Sequence, residues 1–385
     1  MSSSAKFYLP QLDGLRFIAF FLVFIHHSLP SAVYFEEGSA AYWISFKLSA
    51  FGWIGVDIFL CLSSFLLTSL LIMEHKKTGT VSIKQFFVRR ALRIWPLYYM
   101  VILLAFVVFP LFSFYSPSLH SSSYTNFLHQ HLLPFSLFMG NFSYAYFTGS
   151  LTIPIAPLWT VSLEEQFYLF WPILLFILLP RSRKWFFIAL AGMVLLSIFV
   201  RYYIIKNHIP YPAVWVFSLG RLDPFALGAL VAYWYLDTKF KPRPVIACVL
   251  AIILFKLVVC STGIGGPNTI WQLLFVDLAS CLLIYSALYS SSLKKFLSMK
   301  PLPWLGKISF GLYVFHYLML DVTNVHIMPF FIAKFHLVQS LGYWFFTGFI
   351  ALSVTVLCAT ISYYAFEKHF LKLKTRFTVI ASRPA

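Results

Sequence analysis

Runs of about twenty apolar residues recur along the whole chain, near 12–30, 50–73, 94–113, 162–180, 185–205, 215–236, 244–261, 270–290, 303–325 and 341–364. Each is long enough to cross a bilayer core of ~30 Å as an α-helix. The ten-residue alternation of a membrane β-barrel is absent. The pattern predicts an all-α polytopic membrane protein of about ten transmembrane helices, a single domain over residues 1–385 with a core at about 8–367 and a tail at 368–385. The apolar piece at 132–141, broken by Pro134 and Gly140, is too short to span and reads as a re-entrant or interfacial segment.

Composition agrees: 60% hydrophobic and 11% charged residues exclude a water-soluble globule. The formal charge of +17 suggests nucleic acid until its distribution is examined. If both ends lie on one side, 22 of the 29 basic residues fall in the loops of that side, and only Lys47, Lys206 and Lys334 lie opposite. That asymmetry is the positive-inside rule, so both termini are expected in the cytoplasm, and the charge records topology rather than a nucleic-acid partner. Five scattered cysteines, Cys61, Cys248, Cys260, Cys281 and Cys358, show no metal-ligand or redox spacing and read as apolar packers, so no metal is expected. Asp13 and Arg16 interrupt the first apolar run, which is unlike a signal peptide, so the first span is expected to be retained.

Polar residues inside spans carry the candidate chemistry. Arg16 and His27 are eleven positions apart, which returns a helix to within ~20° of the same face and separates them by ~16 Å along the axis. This spacing puts a cation near one surface and an imidazole near mid-membrane, where an ionisable group is a functional candidate by default. A neutral imidazole there suits a general base or a transient acyl acceptor. His26 points ~100° away from that face. Asp13 is within helical reach of Arg16. Asp57, in the outer part of the second span, is a candidate to orient a histidine, or equally an acid bonded to a neighbouring helix. Arg89, Arg90 and Arg93 surround one turn where a cytoplasmic loop enters a span; a helix N-terminus there would add anion-binding donors, and the plainer reading is anchoring to anionic lipid. Ser162 and Glu165 form a capping box, but Glu164, Glu165 and Gln166 exceed what a cap needs. Arg221 and Asp223 read as a self-contained pair, and His316 as a mid-span histidine. His120, His129 and His131 read as solvated.

Taken in order, these strings resemble the acyltransferase-3 family of bacterial integral-membrane acyltransferases: Leu12-Asp13-Gly14-Leu15-Arg16 with His27, Gly55-Val56-Asp57, Arg89-Arg90 with Arg93, Ser162-Leu163-Glu164-Glu165-Gln166, Gly220-Arg221-Leu222-Asp223, and Ser309 through His316. The resemblance implies a ten-helix domain in the bacterial cytoplasmic (inner) membrane. It would move an acyl group, usually acetyl from acetyl-CoA, to a sugar hydroxyl of a surface glycan, with lipopolysaccharide O-antigen the favoured acceptor. It implies catalytic roles for His27, Asp57 and Glu165, and acyl-CoA contacts from Arg16, Arg89, Arg90 and Arg93. Contacts to the saccharide acceptor are expected from Glu164, Ser162, Asn141 and His316, with Glu164 and Glu165 opening toward the periplasm. Membrane lipid is the remaining expected partner. Ser64 stands where the family often has glycine, and the fused extracytoplasmic hydrolase domain of some members is not expected. The rival reading is a transporter or flippase of a glycan precursor, whose intramembrane charges would line a substrate path.

Overall fold

A computed structural model describes residues 7–29, 35–108, 130–146, 155–238, 241–260, 267–335 and 340–380. Among the described residues every regular element is helical. Seven helical stretches are long and apolar enough to cross a membrane: Ala40–Thr78, Ile83–Val108, Ala156–Leu178, Arg183–Lys206, Thr269–Tyr289, Ser309–Phe335 and Leu341–Phe377. Helices Pro10–Ser28, Asp223–Asp237 and Pro244–Cys260 occupy the other three predicted spans. The first of these is diluted by Asp13, Arg16, His26 and His27, and the second is shortened because an irregular turn precedes it.

The helices that build the site are α1 (Pro10–Ser28), α2 (Ala40–Gly52), α3 (Ile54–Thr78), α4 (Ile83–Leu103), α5 (Gly140–Tyr146), α6 (Trp159–Leu178), α7 (Arg183–Lys206), α8 (Asp223–Asp237), α9 (Pro244–Cys260), α10 (Thr269–Tyr289), α11 (Ser291–Leu297), α12 (Pro301–Lys307), α13 (Ser309–Val322), α14 (Met328–Phe335), α15 (Leu341–Ser362) and α16 (Lys368–Lys374). The axis of the bundle is α3, buried on every side against α1, α8 and α10, as expected of a helix that is apolar all round. Close approach depends on glycine. A side chain at Gly55 would strike the backbone of Ala19 on α1, and one at Gly306 would strike the backbone of Asp13. Phe167 on α6 stacks on Phe225 on α8, ring centres 4.0 Å apart.

Two ion pairs lie fully buried among the described residues, but not as the sequence suggests. Arg221 pairs with Asp57 of α3, and Arg201 of α7 pairs with Asp223 at 2.7 Å, all four side chains being fully buried. The self-contained Arg221–Asp223 pair is therefore corrected: each residue takes a partner from another helix. Gln11 and Asp13 are buried at the start of α1. At the basic-loop face, residues 368–380 are not a free tail. α16 lies against α4, Arg89 donates to the Phe377 carbonyl at 2.8 Å, and Lys77 donates to the Val379 carbonyl at 3.3 Å.

Candidate active site

His26 and His27 occupy the last turn of α1, while Arg16 lies near its middle. His27 is therefore one residue from the end of the helix, and Arg16 lies six residues from its start. His26 donates from Nδ1 to the Ser49 carbonyl at 2.7 Å, which commits it to α2. His27 turns the other way. Its Nδ1 lies 3.0 Å from Nε2 of His316 on α13, and Nδ1 of His316 lies 2.5 Å from the carbonyl of Tyr313. Tyr317 stands edge-on to His27 with ring centres 5.2 Å apart.

One turn back along α13, Tyr313 faces a small cavity of about 80 Å³. Its polar lining is Arg16, Ser63, Arg90, Arg93, Thr160 and Glu164, with Tyr168, Ser309 and Tyr313 completing it. Along α3 the lining runs from Ser63 to Val56, ~10 Å of helix rise. The Arg90 guanidinium lies over both the Phe86 and Tyr168 rings, at 5.7 and 5.9 Å. The buried Nε atoms of Arg16 and Arg90 have no hydrogen-bond partner among the described residues. Helix α4 starts at Ile83, more than a turn before the arginines, so the expected helix N-terminus is not at this cluster. Another supplies it: Ser309, the first residue of α13, lines the same cavity, and the dipole of a helix start favours an anion.

Only part of the expected site converges here. Arg16, Arg90, Arg93 and Glu164 share the cavity, so Glu164 faces guanidinium groups rather than the outer surface. Arg89 points away and pairs with buried Glu74 at 3.0 Å, because one residue step turns it ~100° from Arg90. Asp57 is engaged by Arg221 instead of a histidine. Glu165 lies outside the cavity lining and accepts from Trp95 Nε1 at 3.0 Å. Ser162 is inside α6 rather than capping it, and accepts from the Gly140 amide at 3.2 Å. Asn141 donates to the Val216 carbonyl at 3.0 Å and to Ser218 at 2.8 Å, and accepts from Gln166 at 2.9 Å. Both residues lock α5 onto α6, so the predicted short segment is held at its end by Gly140 and Asn141 and packs inward through Phe135, while Leu132, Leu133, Leu137 and Met139 stay exposed. His131 is buried against Ser143 rather than solvated; His120 and His129 lie outside the described residues, as does the Cys260 side chain. Ser64 donates to the Phe225 carbonyl, on the face of α3 away from the cavity, so the departure from glycine does not touch the site.

A family model for the acyltransferase domain matches residues 9–364, nearly the whole chain. The chain belongs to that acyltransferase family. The acyltransferase is 27% identical over 335 residues to the peptidoglycan O-acetyltransferase OatA of Listeria monocytogenes, covering 82% of this chain and 50% of the relative. It is 28% identical over 335 residues to the O-acetyltransferase OatA of Staphylococcus aureus, covering 82% and 51%. The chain thus spans about half the length of the curated relatives it matches. No solved structure matches it. Membership in an enzyme family decides against the transporter reading.

Two features of this acyltransferase escape sequence reading. Lys374, in the stretch read as a tail, shares a smaller pocket with Arg89 and Arg90 beside the main cavity. Glu74 anchors both Arg89 and the Ser82 amide, the latter at 2.9 Å. An acid at the end of a span facing a run of arginines was the available signal for Glu74; nothing local marks Lys374.

Proposed function

We propose that this acyltransferase is an O-acetyltransferase of the bacterial cytoplasmic membrane, moving acetyl from acetyl-CoA on the cytoplasmic side to a sugar hydroxyl of an envelope glycan. The observation that carries this reading is the pairing of a cation-lined cavity with a histidine couple one helical turn beyond it. Acyl-CoA suits the cavity chemically. Arg90, Arg93, Arg16 and the start of α13 offer donors to phosphate, with Arg16 and Arg90 holding unsatisfied N–H groups. Arg89, already spent on Glu74, has no part in it. His27 accepts the hydroxyl proton as the acceptor oxygen attacks the acyl carbon. The C–S bond breaks as the ester forms, and the proton passes to the departing thiolate. The names of the relatives favour peptidoglycan as the acceptor over the O-antigen expected from the sequence.

The deciding experiment compares ester-linked acetate on peptidoglycan and on lipopolysaccharide in cells expressing wild type or His27→Ala at equal membrane levels. Acetate on peptidoglycan with the wild type and none with the variant is expected. Acetate undiminished by His27→Ala would overturn the assignment of the base. Acetate on lipopolysaccharide alone would overturn the acceptor.

A further inference from the structure

The two imidazoles are joined in one direction only. A backbone carbonyl has lone pairs and no proton, so at 2.5 Å from the Tyr313 oxygen the Nδ1 of His316 must carry the hydrogen. A neutral imidazole with a proton on Nδ1 presents a lone pair on Nε2. That lone pair lies 3.0 Å from Nδ1 of His27, which must then donate. The Val23 carbonyl, one turn back on α1, is a second acceptor at the His27 ring, and with the hydrogen on Nδ1 the remaining nitrogen, Nε2, carries none.

We infer that His316 is a positioning residue that holds His27 as the Nδ1–H tautomer and presents its Nε2 lone pair as the reactive one. The acidic residue expected in this role, Asp57, is occupied by Arg221, and the chain's own backbone does the work at one remove, through the Tyr313 carbonyl. When Nε2 takes a proton, Nδ1–H stays directed at His316 Nε2, and the positive charge is shared along the hydrogen bond rather than left on one ring. Tyr313 also ties this couple to the cavity. Its hydroxyl accepts from Thr160 at 2.8 Å and donates to the Pro157 carbonyl at 3.2 Å, while its carbonyl fixes His316. Only the turnover consequence rests on the acetyl-transfer reading; the orientation itself does not.

The test therefore has an arm that needs no substrate. Diethyl pyrocarbonate carbethoxylates unprotonated imidazole nitrogen, and the rate at His27 is read by mass spectrometry in wild type, His316→Gln and His316→Leu, in detergent-solubilised full-length protein. Glutamine retains an acceptor oxygen for Nδ1–H; leucine does not. The expected result is modification at His27 about tenfold slower in His316→Leu and within about threefold of wild type in His316→Gln, as for other residues that orient a functional imidazole. Acetyl-CoA turnover should follow the same order in kcat with KM unchanged. If His316→Leu does not accumulate, His316→Asn, too short to reach, replaces it. Equal modification rates in all variants, or glutamine falling as far as leucine, would overturn the inference. Absence of wild-type acetyl-CoA turnover with the modification pattern intact would overturn the acetyl-transfer reading and leave the orientation standing.

Discussion

Replacing Asp57 by alanine should unfold this protein more readily, not merely silence it. Asp57 and Arg221 are fully buried and face one another between α3 and the turn before α8, so removing the carboxylate takes away the ion-pair partner of a guanidinium and leaves it only the more remote buried acids Asp277 and Asp223. Breaking a buried pair from one side costs about 3–5 kcal/mol. For a chain of 385 residues, typical unfolding entropies convert that to a fall in melting temperature of about 4–6 °C. The Trp215 ring, 5.4 Å from the Arg221 guanidinium, offsets part of the loss. The double variant Asp57→Leu with Arg221→Met replaces the pair by apolar groups of similar size and should recover most of the loss, since such swaps are often neutral. Thermal aggregation of the detergent-solubilised variants measures stability, and acetate transfer in membrane vesicles measures function. Alanine melting like wild type would refute the pairing argument. A stable double variant devoid of transfer activity would return Asp57 to the catalytic role expected from sequence.

Arg90→Ala and Arg93→Ala should each raise the KM for acetyl-CoA about 10- to 100-fold, the worth of one charge-assisted hydrogen bond, with stability little changed. Arg89→Ala should leave KM near wild type and instead expose residues 368–380 to trypsin, because it releases the Phe377 carbonyl and Glu74; equal KM effects from all three would contradict the division of roles. Gly306→Val should abolish accumulation in the membrane, since the new side chain meets Asp13 backbone, which cannot yield as a side chain can; normal levels on an immunoblot would show that α12 can move off α1.

What the sequence made legible was local. Span positions could be read because a bilayer demands length and apolarity, and the grouping of Arg89, Arg90 and Arg93 around one turn because steps of three and four bring side chains together, though not which of the three line the cavity. Long-range partners could not. His27 meets His316 across 289 positions and Asp57 meets Arg221 across 164, and no spacing rule reaches that far. Arg89, Arg90 and Arg93 look alike in a string, yet one residue step sends Arg89 to Glu74 and its neighbours into the cavity. The Ser162–Glu165 capping signal failed because helix α6 begins three residues earlier, after a tight turn at Ala156–Leu158. The Asn141 region was read as too short to span, and its amide is engaged by Val216, Ser218 and Gln166, partners that lie 25 to 77 positions away.

The distance between His27 and His316 along the chain also sets a timetable for biosynthesis. α1 leaves the ribosome well before its later partners, carrying Asp13, Arg16 and two histidines, and it is not among the helices apolar enough to settle in a bilayer by composition alone. Its partners α12 and α13 emerge roughly three hundred residues later. Through most of translation the polar face of α1 must therefore be sheltered by something other than its final neighbours, such as an insertase groove or α3 alone. A nascent chain arrested before residue 316 would carry Arg16, Arg90 and Arg93 but no imidazole partner for His27, so on the proposed reading acquisition of activity should be abrupt and await the synthesis of α13.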